Sequence, residues 1–140
     1  MKKFLYQFMV TLMAISSFAL VSCSDDDNDD GLSSDIVGTW KVDFLDSILN
    51  EQYIQFRSDG QFIEVFIDKF MVDSEDEIEI TRGQWKCTGN TLTLIPNSDY
   101  YITSTSEIIK LTDTDLMLST LGISTSYKRV DDSEIEKYLK

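Results

Sequence analysis

Tyr53-Ile54-Gln55-Phe56-Arg57-Ser58-Asp59-Gly60-Gln61-Phe62-Ile63-Glu64-Val65-Phe66-Ile67 is the stretch on which the fold turns. Two runs rich in β-branched and aromatic residues flank Asp59-Gly60. Asp-Gly between such runs is a strong hairpin signal, because the turn demands a positive φ that glycine takes without strain. The second run is apolar on both faces except at Glu64.

The same pattern continues on either side. Upstream, residues 36–45 put Trp40, Val42 and Phe44 on one face, with Lys41 and Asp43 on the other. Downstream, residues 77–87 form a strand whose central Gly83 marks a bulge or a bend toward a neighbour. Thr88-Gly89-Asn90 turns into a strand over 91–95, which Pro96-Asn97-Ser98-Asp99 closes. A long strand over 100–111 ends at Thr112-Asp113-Thr114-Asp115, and strands over 116–120 and 125–130 are joined through Gly122. Residues 133–139 read as a short helix, with Ser133 as cap, Glu136 completing a capping box, and Ile135, Tyr138 and Leu139 on one face. A helix that short must dock or fray. Eight antiparallel strands with short connections favour a closed up-and-down β-barrel or a sandwich, since closure removes exposed edges.

Composition narrows the chemistry. The chain of 140 residues has 12 Lys+Arg, 25 Asp+Glu, no histidine and a formal charge of −13. That balance argues against an electrostatic nucleic-acid binder, which needs a basic face. Without histidine there is no Ser-His-Asp or Cys-His nucleophile and no imidazole-dependent zinc site. Two cysteines cannot build a disulfide framework or a four-thiolate metal centre. No cofactor and no metal site is expected, and no catalytic residue can be named.

The N-terminus reads as an address. Lys2 and Lys3 precede an uncharged run over 4–21, which ends in Leu20-Val21-Ser22-Cys23. That ending resembles the lipobox of bacterial lipoproteins. The resemblance implies a signal peptide over 1–22, acylation of Cys23 (palmitate among the chains) and a membrane anchor, since several acyl chains together hold a protein stably on a bilayer. Residues 23–35 then form an acidic tether, self-repelling and disordered. It is similar to the acidic export signal of some Gram-negative surface lipoproteins, which implies the outer membrane and the cell surface. Asp26-x-Asn28-x-Asp30-Gly31 begins like a calcium loop, but Val37 stands where the bidentate acid belongs.

Within residues 36–130 a second resemblance appears. Gly38-Thr39-Trp40, Phe56-Arg57-Ser58-Asp59-Gly60, Gly83-Gln84-Trp85, Thr91-Leu92-Thr93-Leu94 and Tyr127-Lys128-Arg129 occur in the order of short bacterial lipocalin-like domains. The chain is shorter than a full lipocalin and lacks its Thr-Asp-Tyr motif. The resemblance implies an all-β, eight-stranded lipocalin-like barrel, closed at one end by Arg129 stacked over Trp40, with residues 131–140 as a tail or short helix.

Several patterns remain. Asp73-Ser74-Glu75-Asp76-Glu77 reads as a solvated loop rather than a carboxylate pair held for catalysis. Cys87 reads as a buried structural thiol. Asp46-Ser47-Ile48 is similar to a short O-glycosylation acceptor of Gram-negative exported proteins. Residues 66–72 read as an apolar flap, a protein-contact patch or a plain buried strand. Phe62, Phe66, Phe70 and Trp85 are the aromatic candidates for a ligand or contact patch. An eight-stranded barrel is either filled by side chains or holds one small ligand. The expected role is therefore binding of a small apolar or glycan-like molecule, or contact with an envelope protein through a filled barrel.

Overall fold

The computed structural model describes residues 34–43, 50–69 and 77–140. Eight strands follow in order: β1 (Gly38–Val42), β2 (Asn50–Phe56), β3 (Gln61–Asp68), β4 (Glu77–Thr88), β5 (Thr91–Pro96), β6 (Ser104–Leu111), β7 (Asp115–Thr120) and β8 (Ile123–Val130). Each pairs antiparallel with the next, and β1 pairs with β8 through Trp40↔Arg129, so the sheet closes into an up-and-down barrel. A closed barrel leaves no unpaired edge to aggregate. The sandwich alternative is thereby excluded. A helical turn over residues 34–36 precedes β1, and helix α1 (Ser133–Glu136) follows β8.

Register decides which side chains point inward. Gly38↔Phe56, Trp40↔Ile54 and Phe56↔Phe62 are direct cross-strand pairs, so these residues share one face. Together with Trp85, Leu92, Ile108, Leu116 and Leu118 they form the apolar core of the barrel. Ile36 is fully buried beneath it, and its carbonyl accepts the Trp40 indole N–H at 2.8 Å. The end at which β1 begins is therefore plugged.

The apolar reading of β3 on both faces has a direct explanation. Ile63, Val65 and Ile67 point outward yet are buried, because Ile135 of α1 covers them together with Tyr53. The helix docks, as its length required, but its cap differs from the capping-box reading. Asp132, not Ser133, occupies the N-cap and makes no side-chain capping bond; its carboxylate instead accepts the Thr39 hydroxyl at 2.6 Å. Ser133 instead serves Asp131, its N–H donating to that carboxylate at 2.9 Å.

Three other readings change. The ladder runs unbroken past Gly83, and the one register shift of β6 and β7 lies between Ile108 and Lys110. Gly83 is a close approach instead: a Cβ there would collide with the Ile95 carbonyl and sit 2.6 Å from the Phe62 ring. Residues 100–103 precede β6 rather than belong to it, because pairing with β5 ends at Leu94↔Ser104. Cys87 is half-buried, packed against the rim of the core. The lipobox with Cys23, residues 23–33 of the tether, Phe44, Phe70, Asp46-Ser47-Ile48 and Asp73-Ser74-Glu75-Asp76 lie outside the described residues.

Candidate binding site

The barrel interior has two storeys. The lower storey, at the plugged end, is solid. Phe56 and Trp85 meet edge to face with centroids 5.4 Å apart, and the Trp85 indole donates to the Arg57 carbonyl at 3.0 Å. Phe62 is 1% exposed beside them. Below this layer the Arg129 guanidinium carbon lies 4.1 Å from the centre of the Trp40 ring. Its nitrogens donate to the carbonyls of Asp113 (2.7 Å), Val37 (2.7 Å) and Asp35 (2.6 Å). Gly38 has φ +135, and a Cβ there would strike the guanidinium. The glycine two residues before the tryptophan therefore makes room for the arginine that covers it.

Of the aromatic candidates, Phe62 and Trp85 are thus held in the closed end. Phe66 stands four residues further along β3, half-buried, on the same inward face. At roughly 3.3 Å per residue it sits some way above them, so the three do not form one patch.

The upper storey is polar. Moving up the inward face, Ile54 is followed by Gln52, Phe62 by Glu64, and Trp85 by Thr81 and Glu79, which the pairs Ile54↔Glu64, Glu64↔Thr81 and Phe66↔Glu79 bring together. Across the barrel, Ser106 and Thr120 share a hydrogen bond of 2.6 Å, and Tyr127 stands opposite Leu116. The Gln52 amide donates to Glu64 Oε1. Burial pushes the Glu64 carboxyl above its ordinary range, and the neighbouring Glu79 charge acts the same way against the Gln52 bond. Burial, with the Glu64 charge, pushes the Tyr127 hydroxyl up to about 12.

Glu64 and Tyr127 both face the barrel interior and are half-buried. Among the described residues no buried side-chain nitrogen or oxygen lacks a hydrogen bond. Inward polar groups without a protein partner are therefore reached by solvent. A separate cleft of about 420 Å³ lies outside the barrel, between α1 and the β2–β3 hairpin, lined by Gln55, Arg57, Asp132 and Glu136. It contains none of the candidate aromatics.

The sequence pattern of the lipocalin-like domain family matches residues 36–118, more than half of the chain. The chain belongs to the lipocalin-like domain family. This lipocalin-like chain is similar in structure to a lipocalin-like protein from Bacteroides uniformis: TM-score 0.50 at 16% identity, over 69% of this chain and 99% of that one. A protein from Bacteroides eggerthii aligns with TM-score 0.49 at 16% identity, over 68% of this chain and 99% of the other. No curated protein sequence matches the chain. The likeness to the Bacteroides uniformis protein is one of fold. Lipocalin-like domains are generally non-catalytic and often bind ligands.

Sequence reading missed Gln52, Tyr127 and Glu64 as site residues. The signal for Glu64 was present, since it is the single polar residue between Phe62 and Ile67. Gln52 and Tyr127 carried none, because only the barrel register turns them toward Glu64.

Proposed function

We propose that this lipocalin-like domain is a non-catalytic binding module, taking a small polar molecule into the polar upper storey of its barrel. The observation that carries this reading is the polar upper storey: Gln52, Glu64, Thr81 and Tyr127 face inward where a merely structural barrel would be filled with aliphatic side chains. Of the two expected ligand classes, the lining favours the glycan-like, hydrogen-bonding one over the apolar one. We further propose that the domain is carried at the outer surface of the outer membrane by lipid on Cys23. The lipobox resemblance and the acidic residues after it support that placement.

Two experiments test these points. Residues 31–140 form a compact unit holding all eight strands, the core and α1, so this segment stands as a folded domain. Thermal-shift screening of it against sugars, hydroxylated metabolites and lipids is expected to give saturable stabilisation by polar compounds, lost when Thr120→Trp crowds the upper storey. No stabilisation by any compound, together with recovery of one envelope protein bound to the intact lipoprotein, would favour the interaction-module reading. For localisation, the intact mass of the membrane-extracted chain is expected to match cleavage before Cys23 plus its acyl chains; an uncleaved N-terminus would contradict it.

A further inference from the structure

We infer that the cleft outside the barrel, between α1 and the β2–β3 hairpin, is a second binding site, and that it takes a small zwitterion with an apolar body, of the α-amino acid class. The inference goes beyond the reading of the barrel interior and is independent of it, since the two sites share no residue. The cleft holds about 420 Å³, within the range of small-molecule sites. Its floor is a row of outward-facing residues across three strands, in which Thr39 pairs with Gln55 and Gln55 with Ile63. Thr39 is 1% exposed and joins the row to the helix. The Gln55 amide donates to its hydroxyl at 3.1 Å, and that hydroxyl donates to Asp132 Oδ1 at 2.6 Å. This chain fixes both ends in place. Asp132 makes no capping bond, so among the described residues its Oδ2 is uncommitted.

The walls carry opposite charges that do not meet. Arg57 belongs to the hairpin wall, Asp132 and Glu136 to the helix wall. The Arg57 backbone is pinned, its N–H donating to the Gln61 carbonyl at 2.9 Å and its carbonyl accepting from Gly60 at 3.1 Å and from the Trp85 indole at 3.0 Å. Among the described residues none of the three charged side chains enters an ion pair. Lys137, the neighbour of Glu136, turns to Glu134 at 3.2 Å, and Arg129 is engaged by carbonyls and Trp40. A guanidinium and two carboxylates that line one cleft without pairing suit a ligand bearing both signs. Its carboxylate meets the Arg57 fork, and its ammonium donates to Asp132 Oδ2 and Glu136. A ligand with a single charge satisfies one wall and meets like charge at the other. Between the walls, Ile63, Val37 and Leu139 offer apolar contact for the body of the molecule.

The test uses leucine and the two molecules that each lack one of its charges, 3-methylbutylammonium and 4-methylpentanoate. Each is titrated at neutral pH into isotope-labelled residues 31–140 and followed by amide chemical shifts. Leucine is expected to shift the resonances of Gln55, Arg57, Ser58, Asp132 and Glu136 saturably, with each single-charge probe about fivefold weaker. Arg57 and Glu136 are exposed, so their neutral variants leave the core untouched. Arg57→Gln is expected to weaken leucine about fivefold and to spare 3-methylbutylammonium. Glu136→Gln is expected to weaken leucine and 3-methylbutylammonium alike and to spare 4-methylpentanoate. A single-charge probe that binds as tightly as leucine would overturn the zwitterion class. Undiminished leucine binding in both variants would overturn the roles given to the charged walls. Leucine shifts confined to Gln52, Glu64 and Tyr127 would overturn the cleft and count in favour of the barrel interior. No saturable shift of the hairpin or α1 with any probe would overturn the second site and leave the interior to its own thermal-shift test.

Discussion

Arg129 shows how much one side chain can hold. Its three carbonyl partners lie before β1 and in the β6–β7 turn, and its fourth contact is the face of Trp40. Hydrogen bonds from a charged donor contribute more than neutral ones, and removing this donor leaves the part-buried Val37 carbonyl without its partner and uncovers the Trp40 face. Arg129→Ala is expected to cost about 2–4 kcal/mol in urea unfolding. Arg129→Lys should recover only a fraction, because an ammonium lacks the planar fork that reaches three carbonyls while stacking on an indole. Full recovery by lysine would show that charge alone closes the barrel. Glu64 behaves in the opposite sense. Its folded carboxyl holds a proton more tightly than the unfolded chain does, so its contribution to stability is greatest below the ordinary carboxylate range and declines as pH rises through the raised folded value. Glu64→Gln is accordingly expected to raise the melting temperature at neutral pH and to lose that advantage in acid. A lower melting temperature at neutral pH would contradict the burial argument.

At the level of elements, α1 and the outer face of β2 and β3 are one unit. Ile135 is fully buried by outward-facing Tyr53, Ile63, Val65 and Ile67, while Tyr138 lies 5.9 Å from Tyr53 and shares Glu51 with it through a 3.3 Å hydrogen bond. Ile135→Ala should cost about 2–5 kcal/mol, as for other fully buried aliphatic truncations, and uncover a β-branched stripe prone to self-association. Light scattering together with urea unfolding checks both halves of that statement. Glu51 sets the acid limit of the same patch. Burial alone would raise its carboxyl, but hydrogen bonds from Lys69 and Lys41, and their charges, outweigh it and hold the group at about 2. A depressed carboxylate stabilises the fold above its unfolded value near 4.5 and loses that contribution as pH falls toward 2. The melting temperature of the wild type should fall across that window, and Glu51→Gln should flatten the fall.

These elements also show what was legible in advance. Strand positions came through because alternation and turn residues such as Asp59-Gly60 are local properties. The Trp40–Arg129 pair was visible through the resemblance, since Gly38-Thr39-Trp40 and Tyr127-Lys128-Arg129 stand in the order of short lipocalin-like domains. The two-storey interior was not. Alternation says that Gln52 and Ile54 share a face; it does not say that this face looks into a barrel, or that Tyr127 stands across from it. The cap of α1 was misread for a related reason: Asp132 is drawn away by Thr39, distant in sequence, and no local rule anticipates that bond.

On the scale of the whole molecule, the two halves of the barrel differ in lining: apolar side chains and the Trp40–Arg129 stack fill the end where β1 begins, while Gln52, Glu64, Thr81 and Tyr127 face inward beyond them.

Closure of the ring has a further consequence, for the time course of folding. The contact that completes the barrel joins Val37 to Arg129, 92 residues apart, and every preceding hairpin is local by comparison. The entropy of closing so long a loop is paid before the closing ladder forms, so the last step is the slow one, in the millisecond-to-second range typical of β-topologies rich in distant contacts. A growing chain that has reached Thr120 but not Val130 has seven strands to pair and two bare edges, β1 and β7, exposed to each other and to neighbours. The terminal strand is thus the latch of the domain, and the interval before it arrives is when the chain is most vulnerable to misassembly.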